Sequence, residues 1–364
     1  MRTESEYTGF FSSRMALSMT LGALVAVAVT GLIMASFYKP DTAALRDETG
    51  ARLSVRVASR NHVDVLGDTI RRVGDWYASP PDAMNDSLRR RDRDPELFGR
   101  DVSIPASWYS INVRFERQTE FGAILRATHA RATDTLILCI AWMMLSALIQ
   151  GVRHGVDRNR WQVLLAVYVT ALLVAWCGSI LPWDVRARQA YGIGTHLLHA
   201  YVPGIGPAIA GYFWNANDYR EPDLMRVFLL HAFVLAPILL IGLNAVRKRM
   251  QDRIVRVRGI VAGMSVPLLW ASIGTTDHLP DRGLALERTN VTPEWYLAVP
   301  SKLLAAVPED FAVMVVLGAI VSAVALGFPW PSTFWGRFAR GGAFVFATCY
   351  VAAQLWFLAG TCVK

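Results

Sequence analysis

The chain has 364 residues, of which 53% are hydrophobic and only 18% charged, and its mean hydropathy is +0.31. Soluble domains run at about 45–50% and about 25%, so the composition excludes a set of ordinary soluble domains and points to an integral membrane protein. The net charge of +8 is explained by loop topology and anionic lipid headgroups, and nucleic acid is not expected as a partner.

The four cysteines, Cys139, Cys177, Cys349 and Cys362, form neither C-x-x-C nor C-x-x-C-H, which argues against a cysteine zinc site and covalently attached c-type haem. Seven stretches are apolar enough to cross hydrocarbon, which takes about 20 residues. Span A covers about 15–38, B about 120–152, C about 161–181, D about 224–246, E about 254–273, F about 311–329 and G about 340–360. Span A is too long for a signal-peptide core and lacks a small-residue cleavage site after it, so it is expected to remain in the mature chain. The fold class expected is all-α integral membrane. Its divisions are residues 1–38 (N-terminus and A), 39–118 (a polar insert), 119–250 (B–D) and 251–364 (E–G).

The A–B connection is too long for a hairpin linker. Within it Val63, Leu66, Ile70, Val73 and Tyr77 recur at helical spacing and predict one amphipathic helix. The run Arg89-Arg90-Arg91-Asp92-Arg93-Asp94 reads as a solvated or headgroup-facing strip, and the insert as a surface packed on a partner or the membrane. Pro203, Pro207, Pro293, Pro300 and Pro308 fall in connections or re-entrant segments.

Arginine and lysine set the orientation. Arg153, Arg158 and Arg160 lie in the B–C loop, Arg247, Lys248, Arg249, Arg253, Arg256 and Arg258 at the D–E junction, and Arg337 and Arg340 in the F–G loop. All lie on the side of the N-terminus, which is therefore expected to be cytoplasmic or matrix. The A–B, C–D and E–F connections then face outward.

Of the seven histidines, His129 lies near the outer end of B and His231 near the outer end of D. B and D run in the same direction, so the two imidazoles share a depth and are placed to ligate one haem iron from both sides. An intramembrane histidine is a functional hypothesis by default; the bland alternative is a hydrogen bond to a neighbouring helix. Arg126 and Arg226 precede the histidines toward the outer surface, where haem propionates need cationic partners, or else they snorkel to headgroups. Gly31 in A and Gly178 in C also lie toward the outer ends, where a flat macrocycle needs a helix surface without a side chain; glycines also serve helix packing.

These residues carry a resemblance. Thr30-Gly31-Leu32 with Tyr38 to Asp41, Arg126-Ala-Thr-His129-Ala130, Gly178-Ser-Ile-Leu-Pro182-Trp183, Tyr191-Gly192, Arg226-Val-Phe-Leu-Leu-His231 and Pro293-Glu294-Trp295-Tyr296 resemble, in order and spacing, cytochrome b of respiratory bc-type complexes. The resemblance covers nearly the whole chain except the A–B insert and a missing eighth helix. It implies a four-helix haem bundle (A–D) with a three-helix C-terminal part (E–G). It also implies an outer quinol site using Glu294 and Tyr296, with Trp295 lining the pocket; the alternative for Glu294 is a helix-start carboxylate retained for capping.

The departures matter as much. Family members hold two haems, with a second histidine pair fourteen residues further along B and D, about 3.9 turns or about 21 Å deeper. Those positions are Met143 and Ala245 here, flanked by Asn244 and Val246, and the matching glycines are replaced by Leu17 and Leu164. The inner haem site is therefore expected to be filled by side chains. In the family, quinol gives one electron to an iron–sulfur protein and the other passes through both haems to an inner quinone. Without the inner haem a gap of order 20 Å remains, so a full Q-cycle is expected to be impaired.

The function expected is a membrane subunit of a respiratory electron-transfer complex, of the quinol:cytochrome c oxidoreductase type. It holds one low-potential-type haem b, with ubiquinol or menaquinol as the quinol. Its expected partners are an iron–sulfur protein, a cytochrome c-type subunit, the lipid bilayer and a second copy of the chain. The location is the bacterial cytoplasmic or mitochondrial inner membrane. The alternative is a haem-free scaffold that keeps the fold. Ser179 stands where the family has an aromatic residue, and Val307-Pro308-Glu309-Asp310 where it has lysine and arginine.

Two further groups stand out. His196 and His199 lie three apart and read as surface histidines before a metal pair, for want of a third ligand. Arg131 and Asp134 are spaced to pair with each other; were Arg131 instead to project at the haem, the placement of the macrocycle would be in doubt. A transporter would need polar groups at the midplane and helices broken in matching halves, and neither is found.

Overall fold

The computed structural model describes residues 13–46, 53–56, 70–72, 101–116, 118–154, 158–201, 204–214, 223–249, 257–274 and 308–325, with 341, 342, 345 and 349 as helical positions. Helix α1 (Ser13–Ala35) is span A, α3 (Gly122–His154) span B and α4 (Arg158–Ile180) span C. Span D is one continuous rod built of α7 (Leu224–Leu229), a π-helical turn (Leu230–Leu235) and α8 (Ala236–Arg249). Spans E and F are α9 (Val257–Gly274) and α10 (Glu309–Ala325). Four of these, A to D, are long and apolar enough to cross a membrane, and Val257–Ile273 is a shorter apolar helix. Most of span G lies outside the described residues.

The packing order follows from small residues and apolar faces. Helix α1 packs on α3 and α9, α9 also on α3, α3 on α4, and α4 on the D rod. The A–E contact is backbone-close: a Cβ at Gly22 would fall 2.2 Å from the Ile260 carbonyl oxygen, and one at Gly263 would fall 2.1 Å from that of Met19. Small residues are what let membrane helices approach this closely.

The expectation of an all-α chain is corrected in the insert. Strands β1 (Leu53–Arg56), β2 (Ile70–Arg72) and β3 (Asp101–Ser103) form an antiparallel sheet in the order β2-β1-β3. Val55 stands opposite both Ile70 and Val102. The amphipathic helix expected through Val63, Leu66, Ile70, Val73 and Tyr77 is wrong at Ile70, and the other four positions lie outside the described residues. A β-branched residue that finds ladder partners from distant segments favours a strand, whatever period its neighbours show.

After β3 the chain turns into α2 (Ala106–Tyr109), which runs on as a π turn, Ser110–Phe115. This segment is anchored: Trp108, Ile111, Val113 and Phe115 are buried. The stretch after helix A lies along it, with Ala106 N–H bonding Ala43 O at 3.1 Å and Ser107 N–H bonding Asp41 O at 2.9 Å. Between C and D lie α5 (Val185–Tyr201) and α6 (Ile205–Trp214), so Pro207 sits in the first turn of a helix, where a missing N–H costs little.

Candidate haem site at the outer end of the bundle

His129 is the eighth residue of α3, and His231 is the eighth residue of the D rod counted from Leu224. Nδ1 of His129 lies 3.1 Å from the Val27 carbonyl oxygen in helix A. Nδ1 of His231 lies 2.9 Å from the Val174 carbonyl oxygen in helix C. A carbonyl can only accept, so Nδ1 carries the hydrogen in both rings, and Nε2 of each keeps its lone pair. This is the tautomer that metal-ligating histidines adopt when their second nitrogen is held by a carbonyl. Thr30 adds a second contact: its Oγ1 lies 3.1 Å from His129 Nδ1 and donates to Ala26 O at 2.6 Å.

The glycines lie against the same rings. A Cβ at Gly31 would fall 3.1 Å from His129 Cε1, and one at Gly178 would fall 2.9 Å from His231 Cε1. Helices A and C thus present bare backbone to the imidazoles of B and D. A π-helical turn spans His231, with Ala236 N–H bonding His231 O. Pro237 lacks an N–H and its ring crowds the preceding turn, which accounts for the widened helix; such turns recur at functional sites.

Both rim arginines are already engaged. Arg126 Nη1 donates to Asn112 Oδ1 at 2.6 Å and forms an ion pair with Glu116. Arg226 Nε lies 2.9 Å from Asp223 Oδ2, its Nη1 donates to the Tyr212 carbonyl, and its guanidinium sits 5.7 Å over the Tyr212 ring. Glu116 and Asn112 are partners of Arg126 that sequence reasoning missed. Ten residues separate Glu116 from Arg126 with no helical period linking them, so no local signal was there to find. Asp223, by contrast, is the N-cap of helix D, accepting from Arg226 N–H at 3.3 Å, and its spacing to Arg226 is legible.

The rim is closed by Tyr38, whose hydroxyl donates to Leu181 O at 2.9 Å and whose ring meets Phe228 at 5.4 Å. Burial pushes the Tyr38 phenol above its ordinary value. Helix C ends at Ile180 because Pro182 cannot continue it, and Trp183 reverses the chain with φ 51°, a left-handed conformation that is costly for a bulky residue. The buried Trp183 is held edge-on to Tyr191 at 5.6 Å.

The inner half of the bundle is solid. Leu17, Met143 and Leu164 belong to one buried cluster with Ile140, Val167, Leu243 and Val246, and each is at most 2% exposed. Ala245 is half-buried, and Asn244 is exposed, with its Oδ1 taken by Arg247 at 2.9 Å. Arg131 Nη1 meets Asp134 at 3.3 Å and its guanidinium lies 4.4 Å over Trp270 of α9. His196 pairs with Glu309 at 2.8 Å, and no cluster of three metal-ligating side chains occurs among the described residues. Pro293, Glu294, Trp295 and Tyr296 lie outside the described residues.

A family model described as cytochrome b/b6/petB matches residues 101–250. Over that stretch the chain is similar to cytochrome b. Cytochrome b of Micropechis ikaheca is 30% identical over 132 residues, covering 36% of this chain and 34% of that one. Cytochrome b of Bugula neritina is 24% identical over 228 residues, covering 54% of this chain and 60% of that one. The chain thus spans between a third and three fifths of the length of these relatives. A chain of a hyperthermophilic respiratory complex III superposes with a TM-score of 0.52 at 13% identity, covering 96% of this chain and 91% of that one. The likeness of fold therefore extends beyond the stretch that the family model matches, and this is a cytochrome b-like, multi-pass membrane protein.

Proposed function

We propose that the chain is a membrane subunit of a bc-type respiratory complex and holds a single haem b between His129 and His231. The observation that carries this reading is the paired hydrogen bonding of the two Nδ1 atoms, to Val27 O and Val174 O, which leaves the Nε2 lone pair of each ring available. A haem bound there would supply a one-electron carrier at the outer side of the membrane. Gly31 and Gly178 keep the ring faces clear, and Thr30 steadies His129. Arg126 and Arg226 stand at the rim for the propionates.

Glu294 and Tyr296 are proposed to serve a ubiquinol or menaquinol, with the carboxylate receiving a quinol proton. An iron–sulfur protein and a cytochrome c-type subunit are the proposed partners, in a homodimeric assembly of the bacterial cytoplasmic or mitochondrial inner membrane. The N-terminus is placed on the cytoplasmic or matrix side. The filled inner half supports impairment of a full Q-cycle, because no inner cofactor has room beside Met143, Leu17 and Leu164.

A second reading, a haem-free scaffold, draws on one observation: both rim arginines already bind carboxylates, Glu116 and Asp223. Haem quantitation with a reduced-minus-oxidised spectrum of the purified chain separates the two. One b haem per chain is expected; none would establish the scaffold.

A further inference from the structure

Arg126 and Arg226 occupy matching places in the helices of the two histidines, yet their carboxylate partners differ in kind. Asp223 sits on the same helix as Arg226, and the two side chains are 34% and 47% exposed. That pair is open to solvent, although Arg226 is also tied to the Tyr212 carbonyl. Glu116 comes from the segment before helix B, and the Arg126 and Glu116 side chains are only 11% and 20% exposed. Glu116 also follows an anchored stretch. Phe115 is 1% exposed and Val113 4%, and Glu116 N–H bonds Ile111 O at 3.0 Å.

Asn112 completes the clamp. Its Nδ2 donates to Trp108 O at 3.0 Å, which fixes the amide so that Oδ1 faces Arg126. The π-helical turn over Ser110–Phe115 brings Asn112 and Glu116 to the same guanidinium. Arg126 is thus held from two sides by groups that packing does not let go, one of them negatively charged.

We propose that Glu116 is a positioning residue that permanently neutralises Arg126 and so lowers the midpoint potential of a haem held by His129 and His231. The inference rests on the haem reading given above. An arginine with no carboxylate partner would offset a propionate charge and favour the reduced iron. Paired to Glu116, Arg126 leaves the propionate charge uncompensated, and the oxidised, more positive iron is favoured instead. The same pairing weakens the grip of Arg126 on that propionate.

The test is a redox titration of the full-length protein in its membrane, with haem content measured alongside. The Glu116→Gln variant is expected to shift the midpoint potential upward and to retain haem roughly tenfold better against apo-myoglobin extraction, the scale of one charge-assisted hydrogen bond. Glu116→Asp, which keeps the charge, is expected to stay at the wild-type potential. Should Glu116→Gln fail to assemble, Asn112→Asp serves instead: it adds a second carboxylate and is expected to move the potential downward. Haem-loaded wild type and variant with equal potentials would overturn this role while leaving the haem reading intact. Absence of haem from the wild type would overturn both.

Discussion

Gly178 faces the imidazole of His231 so closely that a Cβ there would fall 2.9 Å from Cε1. Val174, one helical turn earlier on the same helix, accepts the hydrogen bond from Nδ1 of that ring. Helix C therefore sets the position of a side chain on helix D with two backbone features, a missing Cβ and a carbonyl. Helix A does the same for His129 through Gly31 and Val27. The outer end of the bundle is built twice on one plan, and the inner end is not.

Gly178→Ala is expected to displace the His231 ring and lengthen its bond to Val174, because the contact is shorter than real Cβ atoms tolerate. Gly31→Ala, at 3.1 Å, needs a smaller adjustment. Haem per chain should fall sharply in the first variant and mildly in the second. Equal and full occupancy in both would show that the glycines serve helix packing alone.

His129, Gly31, Gly178 and the filled inner positions could be placed from the sequence because they lie on regular helices, where a 3.6-residue period fixes face and depth, whereas His231 falls in a π turn that the period does not foresee. The A–D helices appear within about three residues of their expected bounds for the same reason. What could not be read were contacts made across the chain. Glu116 reaches Arg126 through a π turn whose existence depends on tertiary packing. Ile70 joins an edge strand whose partner residue, Val55, lies about 15 residues away, a pairing invisible to local periodicity. His196 finds Glu309 only because helix F starts beside α5.

The filled inner half makes two expectations. Leu164→Ala should cost about 2–5 kcal/mol of stability, the usual range for emptying a packed core position, read as a lower thermal midpoint in detergent with haem per chain unchanged. The double variant Met143→His with Ala245→His should gain no second haem, since Leu17 and Leu164 still occupy the space. A second haem in that variant, by pyridine haemochrome assay, would mean that the plug yields easily.

Arg131 links helices B and E through Trp270 while pairing with Asp134 on its own helix. Arg131→Ala should therefore lower stability by about 1–2 kcal/mol through the lost cation–π contact. It should leave the positions of the haem absorption bands where they are. A shifted Soret or α band in this variant would place Arg131 against the macrocycle and overturn its assignment to the B–E contact.

Tyr38 joins the end of helix A to the end of helix C through Leu181 O. Removing that hydroxyl in Tyr38→Phe should cost about 1 kcal/mol at neutral pH. The pH dependence follows from burial, which holds the phenol above its ordinary value. A phenol kept neutral in the fold contributes stability that is fully present below the unfolded tyrosine value of about 10 and is lost as pH rises beyond it. Wild type should lose thermal stability between pH of about 10 and about 11 more steeply than Tyr38→Phe, which has no phenol to ionise at that position. Parallel alkaline slopes for the two proteins would show that the Tyr38 hydroxyl reaches water and does not tie A to C.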